Sequence, residues 1–198
     1  MILIAHRVNS VELLNKVPHR FGIEIDIRSI GRDLILQHDP YQKGELLSIW
    51  LDSYRHKTLI LNVKEEGLES ELIKLMNSKG IDDYFFLDQS FPFIVKSFKS
   101  LEKRCAVRVS EFESIETAIN VSGRINWIWV DCFSHFPLNK NEALRLKDAG
   151  FKLCLVSPEL HGVKADEVIK QFIVAIKEDA INPEAVCTKR LDLWEAYF

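Results

Sequence analysis

The side chains best suited to chemistry lie in one short stretch near the start of the chain. Glu24 and Asp26 stand two residues apart in the apolar run 22–27, and His38 and Asp39 follow a second apolar run. Because side chains alternate between the two faces of a β-strand, both acids would project side by side from one face. Carboxylates so placed suit Mg²⁺ or Ca²⁺, and a nearby histidine suits proton transfer at neutral pH. The stretch therefore predicts a cation site beside a proton carrier.

A second interpretation of the same stretch is purely structural. The two apolar runs flank a turn at residues 29–32, which is also typical of a β-hairpin with one solvated polar face. Arg28 lies on the same face as the two acids and would pair with one of them in that case. The stretch by itself favours neither interpretation.

Composition places the chain among ordinary globular proteins. Of its 198 residues, 47% are hydrophobic and 28% charged, so we expect a single domain over residues 1–198 with a sizeable core. A net charge of −3 without a lysine- or arginine-rich cluster argues against a nucleic-acid binder. Because no run reaches the length of a membrane span or of a signal-peptide core, we expect no membrane insertion. The sequence does not indicate an oligomeric state.

The four cysteines do not form a metal-binding pattern. Cys105, Cys132, Cys154 and Cys187 are widely spaced and lack the paired spacing of a zinc site. All but Cys132 lie in apolar runs, where cysteine is usually a small buried hydrophobe. Free thiols fit a reducing compartment, so we expect a cytoplasmic protein.

Short apolar runs alternate with segments of helical period along the chain. The runs predict strands at 2–5, 22–27, 58–63, 84–87, 105–109, 127–130, 151–156 and 185–187, with a short added strand at 34–37. Helices are predicted after Ser10 and at 46–54, 68–78, 93–98, 114–121, 140–149 and 165–177, with a tail after the last strand. Eight strands linked by helices predict an α/β fold, a compact (β/α)8 TIM barrel with eight parallel strands. An open doubly wound sheet is the alternative, but no glycine-rich phosphate loop follows any strand.

A TIM barrel carries its functional residues at the carboxyl ends of its strands. Nearly every predicted strand is followed there by polar residues, namely His6, Arg7, Glu24, Asp26, Asn62, Lys64, Asp88, Ser90, Arg108, Asp131, Ser157, Glu159, Thr188 and Lys189. Strand ends are often polar for solubility alone, so this placement supports the barrel without assigning a function.

An ordered set of these residues resembles the motifs of a known family. The set comprises His6-Arg7, Asn9, Glu24-x-Asp26 and His38-Asp39. In that order and spacing it resembles the glycerophosphodiester phosphodiesterases, which are phospholipase-C-like TIM-barrel enzymes. The resemblance extends over residues 2–64, and beyond them only the rhythm of strands and helices continues it.

The resemblance implies a metal-dependent phosphodiester hydrolase, a short and divergent member of that family. Its substrate would be a glycerophosphodiester or a related polyol phosphate of lipid metabolism. His6 and His38 would act as general acid and base, and Glu24 and Asp26 would hold Mg²⁺ or Ca²⁺. A histidine pair can exchange protons near neutrality, and a cation offsets the charge of a phosphodiester.

Three basic residues are candidates for binding the phosphate. The resemblance implies this role for Arg7 and Lys64, although Lys64 also stands in a charged run typical of a solvated loop. Arg108 is flanked by two valines in a strand, so it would face inward and either bind phosphate or form an ion pair inside the barrel. His161, in the seventh loop, would either touch a substrate headgroup or lie on the surface.

The chain departs from the family pattern at two positions. Val8 stands where the family has glycine after His-Arg, and Asn62 stands where it has a metal-binding glutamate. Asn62 would then be the third metal ligand, weaker than a carboxylate because an amide oxygen brings no charge. The alternative is an acid from another strand end, for which the candidates are Glu111, Asp131 and Glu159.

Two other functions fit the same residues. Val8 and Asn62 are compatible with a barrel that binds a phosphorylated ligand without turnover. A phospholipase-type transfer, in which a substrate hydroxyl attacks phosphorus to give a cyclic product, is a further alternative.

Overall fold

The computed structural model describes residues 1–162 and 166–197. Its strands are β1 (Ile2–Ala5), β2 (Gly22–Ile30), β3 (Asp33–Leu36), β4 (Glu45–Leu46), β5 (Leu59–Val63), β6 (Tyr84–Leu87), β7 (Ala106–Val109), β8 (Trp127–Val130), β9 (Lys152–Val156) and β10 (Ala185–Thr188). Its helices are α1 (Val11–Leu14), α2 (Leu47–Ser53), α3 (Glu69–Lys79), α4 (Phe91–Lys99), α5 (Ile115–Ile119), α6 (Lys140–Asp148), α7 (Asp166–Glu178) and α8 (Leu191–Glu195), with a 3₁₀ turn at Pro158–His161. The helix predicted at 165–177 corresponds to α7, and its predicted first residue, Ala165, lies outside the described residues.

Eight of the strands form a curled sheet of parallel neighbours. From β1 the ladders run through β2 and β5 to β6 on one side, and through β10, β9 and β8 to β7 on the other. The two end strands share one parallel bridge, between Phe86 and Cys105. The result is an α/β fold that resembles the TIM barrel.

Two features differ from the predicted barrel of eight parallel strands. β3 and β4 add to β2 as antiparallel strands, so the orientation of the whole sheet is mixed. A single bridge also joins β6 and β7, where a closed barrel would have a ladder. The antiparallel addition follows from the tight turn at Gly31, whose φ of 64° reverses the chain directly after β2.

Buried apolar side chains form one cluster on each side of the sheet. The inner cluster consists of Ile4, Ile60, Phe85, Leu87, Ala106, Trp127, Trp129, Cys154, Val156, Ala185 and Cys187. The larger outer cluster lies between the strands and the helices and includes the isoleucines of β2 and Phe86. Both tryptophans of β8 and Phe85 of β6 belong to the inner cluster. Because the isoleucines of β2 face outward, its two acids face inward.

Gly22 stands at an inward position where neighbouring strands approach closely. A Cβ atom there would lie 2.7 Å from the carbonyl oxygen of Thr58 and 2.9 Å from Cγ1 of Ile4. Only glycine fits this space, so β2 can lie close to both of its parallel neighbours.

The chain after β10 folds back as α8, so the expectation of a tail is wrong. Trp194 of this helix is fully buried, and its indole Nε1 donates a hydrogen bond of 2.8 Å to Oγ of Ser157. β4 and the 3₁₀ turn were not predicted from the sequence either, because elements of two to four residues are too short to show a period.

The cysteines behave as predicted. All four are free and buried, and burial raises the pKa of the Cys132 thiol to about 11. Within the two described ranges, no helix is long and apolar enough to cross a membrane.

Candidate active site

The two acids of β2 lie side by side on the inner face, and both are buried, with Glu24 at 0% and Asp26 at 1% exposure. The amide Nδ2 of Asn62 donates to Glu24 Oε1 at 2.9 Å, and the backbone N–H of Arg7 donates to Oε2 at 2.6 Å. Burial and the neighbouring Asp26 nevertheless raise the pKa of Glu24 to about 7. The pair is therefore a concentration of negative charge that its protein partners only partly offset.

Asp26 is held by neutral and cationic partners. Asn9 donates through Nδ2 to Oδ2 at 2.8 Å and accepts from the backbone N–H of Asp26 at 2.9 Å. Arg7 Nε lies 3.3 Å from Oδ2, and Lys64 Nζ lies 3.4 Å from Oδ1. Two of the three predicted phosphate-binding cations thus converge on this carboxylate.

Arg28 does not pair with either acid of β2. Its guanidinium donates to the carbonyl oxygen of His38, at 3.0 Å from Nε and 2.9 Å from Nη2, and to that of Lys64 at 3.3 Å. The expected antiparallel hairpin is present as β2 and β3. Its two acids are buried, however, and Arg28 anchors the loop after β3, so the expected solvated polar face and the pairing of Arg28 with an acid are wrong.

His6 follows β1 and points into the same space. Its Nε2 lies 3.8 Å from Glu24 Oε2, and its side chain is 13% exposed. Burial, followed by the positive charge of Arg7, lowers the pKa of His6 to about 3, so the imidazole is neutral at pH 7. The next residue, Arg7, has a φ of 55°, and this sparsely populated conformation turns its N–H toward Glu24.

His38 lies at the edge of this space. The backbone N–H of Gln37 donates to the carbonyl oxygen of Asp26 at 3.0 Å, which places the next residue beside the acids. His38 Nδ1 lies 2.8 Å from Asp39 Oδ1, and the imidazole is 37% exposed. The hydrogen bond from His38 lowers the pKa of Asp39. The two predicted acid–base histidines therefore differ, one being buried and the other accessible and held by a carboxylate.

A chain of ion pairs extends from the acids of β2 across the strand ends. Lys64 reaches Asp88 at 2.9 Å, Asp88 reaches Arg108 at 2.5 Å, and Arg108 reaches Asp131 at 3.1 Å. Asp131 in turn contacts His161 Nε2 at 2.5 Å. We call the alternating series Arg7, Asp26, Lys64, Asp88, Arg108, Asp131 and His161 the charge chain. It connects all three predicted phosphate-binding cations.

Asp88 and the pairing of Asp131 with His161 were not predicted as site contacts. Asp88 has a φ of 61°, a conformation that a sequence motif does not show for an aspartate. Asp131 and His161 are thirty residues apart, so only the fold brings them together. Their position at successive strand ends was the available signal.

The acids of β2 fit a divalent cation in part. Asp26 Oδ1 and Asn62 Oδ1 are both buried and accept no hydrogen bond from residues 1–162 or 166–197. The two residues are register partners on β2 and β5. Two carboxylates and an amide oxygen are ligands that Mg²⁺ and Ca²⁺ accept. Over residues 1–162 and 166–197, however, no three His, Cys, Asp or Glu side chains group as metal ligands.

The expected third acid does not reach this pair. Glu111 accepts backbone N–H groups from residues 133–135, and Asp131 is held by its partners in the charge chain. Glu159 accepts from Ser157, from Thr188 and from the backbone of Lys189. All three alternatives are therefore engaged elsewhere, and Asn62 remains the third candidate ligand.

A groove of about 750 Å³ adjoins the charge chain. It lies between α4 and α5, with Asp88 and Arg108 at one end and Phe91 and Phe112 along its length. The groove gives a bound molecule room beyond the cations, toward an apolar wall.

Solved structures resemble this chain in fold. Glycerophosphodiester phosphodiesterase from Agrobacterium tumefaciens superposes with a TM-score of 0.68 over 98% of this chain and 99% of its own, at 13% identity. Glycerophosphoryl diester phosphodiesterase from Parabacteroides distasonis gives 0.70 over 98% of this chain and 85% of its own, also at 13% identity. Similarity at this level of identity shows a shared fold.

The same fold serves other chemistry. A mutant tryptophan synthase alpha-subunit from Pyrococcus furiosus superposes with a TM-score of 0.54, covering 94% of this chain and 86% of its own at 10% identity. No protein-family model and no curated protein matches the sequence. Function must therefore be argued from the side chains of the site.

Proposed function

We propose that this protein is a phosphodiester hydrolase acting on a glycerophosphodiester or a related polyol phosphodiester. The observation that carries the proposal is the convergence of His6, Glu24 and Asp26 with the basic side chains of Arg7 and Lys64. The fold shared with two glycerophosphodiester phosphodiesterases supports the same activity class.

A divalent cation completes the proposed site. Glu24, Asp26 and Asn62 would hold Mg²⁺ or Ca²⁺. Oδ1 of Asp26 and Oδ1 of Asn62 support this assignment, because neither accepts a hydrogen bond from the described residues. When bound, the cation stabilises the additional negative charge that forms on the phosphate in the transition state. It would also relieve the repulsion between the acids of β2.

The histidines divide the proton transfers in our proposal. His6, neutral at pH 7, accepts a proton from the attacking hydroxyl or water. His38, oriented by Asp39, donates a proton to the departing alcohol oxygen. Each histidine would raise the rate of hydrolysis roughly 10²–10⁴-fold, provided that it lies near the reacting atoms.

The cations of the charge chain orient the phosphate. Arg7, Lys64 and Arg108 present donors toward the strand ends, and each is held by a carboxylate before the substrate arrives. Donors fixed in advance need little reorganisation during the reaction.

We also propose that residues 1–198 form a single phosphodiesterase domain built on an eight-stranded parallel barrel. Seven parallel ladders and the Phe86–Cys105 bridge support closure. A cytoplasmic location is supported by four free thiols.

Incubation with glycerophosphocholine and Mg²⁺, Ca²⁺ or EDTA, followed by phosphorus NMR, tests the proposal. We expect a phosphomonoester to form with divalent cation and not with EDTA. A cyclic phosphate would instead indicate the phospholipase-type transfer. Absence of any product with either cation would contradict the proposed hydrolysis.

A binding protein without turnover is the second candidate function. It is favoured by Asn62, which leaves the acids of β2 without a third carboxylate. Calorimetric titration with Mg²⁺ and Ca²⁺ in the presence of glycerol 3-phosphate separates the two candidates. If the phosphate ligand binds but neither cation does, this second function is the better one.

A further inference from the structure

A second histidine–carboxylate pair lies on the far side of the strand ends. Asp131, directly after β8, is 4% exposed in its side chain and contacts His161 Nε2 through Oδ1 at 2.5 Å. Its other oxygen, Oδ2, lies 3.1 Å from Nη1 of Arg108. The backbone N–H of Cys132 also donates to Oδ1 at 3.1 Å. One carboxylate thus fixes both an imidazole and a guanidinium.

The imidazole of His161 is held by more than this hydrogen bond. The ring of Phe133 packs against it with a centroid separation of 4.7 Å, and the side chain of His161 is 26% exposed. The 3₁₀ turn that carries it begins after Ser157, which is fully buried. Ser157 bonds both to Glu159 within the turn and to Trp194 of α8. His161 is therefore held by two residues of the loop after β8, and the turn that carries it is held by α8 through Ser157.

One ring nitrogen of His161 is left for a ligand. Nε2 contacts Asp131, and no residue in the described ranges forms a hydrogen bond with Nδ1. A carboxylate that fixes one nitrogen of an imidazole directs the other, which is the geometric requirement for a positioned donor or acceptor. Because Arg108 shares the same carboxylate, His161 lies one carboxylate away from a proposed phosphate-binding group.

We propose that His161 is a specificity-determining residue that hydrogen-bonds a hydroxyl of the alcohol esterified to phosphorus, and that Asp131 positions it. The inference rests on the proposed function and names its substrate class as phosphodiesters whose alcohol retains a free hydroxyl. A site built to bond a hydroxyl discriminates strongly against a ligand that lacks it, since its own polar group is then left unpaired.

The test compares two ligands that share a phosphate group, of which only one carries an alcohol. Calorimetry in Mg²⁺ gives Kd for glycerol 3-phosphate and for inorganic phosphate with wild type, His161→Leu and His161→Gln. His161→Leu should weaken glycerol 3-phosphate at least tenfold and inorganic phosphate less than threefold. His161→Gln retains a hydrogen-bonding group and should recover at least threefold of that loss. His19→Leu, in the loop before β2 at the opposite end of the strands, is the matched control.

The outcomes separate this inference from the proposed hydrolysis. If His161→Leu weakens both ligands equally, or neither, the assignment is wrong and the Asp131 contact is structural. The assignment also fails if wild type does not prefer glycerol 3-phosphate over phosphate. If the preference depends on His161 but wild type releases no product from a diester, the hydrolysis fails and the alcohol site stands.

Turnover gives a second measure where hydrolysis occurs. For a glycerophosphodiester, His161→Leu should raise KM at least tenfold, with kcat changed less than threefold. For bis(4-nitrophenyl) phosphate, whose alcohols carry no further hydroxyl, KM should stay within threefold. Asp131→Asn should raise the KM for the glycerophosphodiester as His161→Leu does, and it should also affect the second substrate through Arg108. An unchanged KM for the glycerophosphodiester would overturn the positioning role of Asp131.

Discussion

The two sides of the strand ends satisfy their buried charges differently. Beside β2 and β5, oxygens of Asp26 and Asn62 are buried without hydrogen bonds, and the pKa of Glu24 is raised to about 7. Beside β7 and β8, both oxygens of Asp131 are engaged, one with Arg108 and one with His161. The first side is incomplete until a cation or proton arrives, whereas the second is complete as it stands. We infer that the first side carries the chemistry and the second holds the substrate in place.

The largest effect should come from removing the buried imidazole on the incomplete side. His6→Ala should lower hydrolysis of a glycerophosphodiester by about 10²–10⁴-fold, because the neutral base beside Glu24 is lost. Steady-state rates at saturating Mg²⁺ measure the effect. His19→Ala, in the loop before β2, should leave the rate within threefold. If the rate of His6→Ala stays within tenfold of the wild-type rate, His6 is not the base and the first side does not carry the chemistry.

The buried acid predicts a dependence of stability on pH. Because the pKa of Glu24 is about 7 in the folded chain, against 4.5 ordinarily, the folded chain binds this proton more tightly than the unfolded chain. Its contribution to stability is therefore present at low pH and is lost as pH rises from about 4.5 to 7. The loss is on the order of 3 kcal/mol, since each pKa unit corresponds to about 1.4 kcal/mol.

Glu24→Gln tests this dependence, because glutamine cannot ionise. Because glutamine has one acceptor oxygen where glutamate has two, the variant loses one of the two hydrogen bonds that Glu24 accepts, from the Arg7 N–H or from Asn62, at all pH values. This loss is a constant cost. Measured in EDTA, the Tm of Glu24→Gln minus that of wild type should rise between pH 5 and pH 8. If the Tm difference is the same at pH 5 and pH 8, the pKa of Glu24 is not raised. The two sides would then not differ in how well their buried charges are satisfied.

Asn62→Asp sharpens the contrast by adding the acid that the chain lacks. Asn62 is buried and donates to Glu24, so the change removes a donor and adds a third negative charge. A cost of about 2 kcal/mol would lower Tm in EDTA by about 4–8 °C for a chain of this size. Saturating Ca²⁺ should then raise the Tm of the variant more than that of wild type. An equal rise in both proteins would exclude a cation at this position.

The contrast between the two sides also explains what the sequence could predict. His6, Glu24, Asp26 and His38 lie within the first third of the chain, where short spacings and strand alternation fix their relation before the fold is known. Eight of the nine predicted strands lie within one residue of the observed bounds, because most of them are short runs dominated by apolar residues. β2 extends three residues beyond its predicted end, and β4 was not predicted.

The far side depends on contacts between residues distant in sequence. His161 reaches Asp131 from thirty residues away, and the turn that carries it is bonded through Ser157 to Trp194, in the segment expected to be a tail. Neither periodicity nor spacing records such pairings. The antiparallel addition of β3 and β4 and the single bridge between β6 and β7 likewise depend on tertiary packing.

The smallest effect should come from Asp88, where the two sides meet. Its carboxylate lies 2.9 Å from Lys64 Nζ and 2.5 Å from Arg108 Nη2, so it neutralises two cations that we assign to the phosphate. Asp88→Asn removes that charge, and asparagine tolerates the positive φ of 61° at this position. Inorganic phosphate should bind about threefold more tightly, since partly exposed ion pairs are worth about 0–1 kcal/mol. Calorimetry at two salt concentrations measures the change. If Asp88→Asn binds phosphate more weakly, Asp88 serves mainly to align Lys64 and Arg108. The carboxylates of the charge chain would then position the cations on both sides.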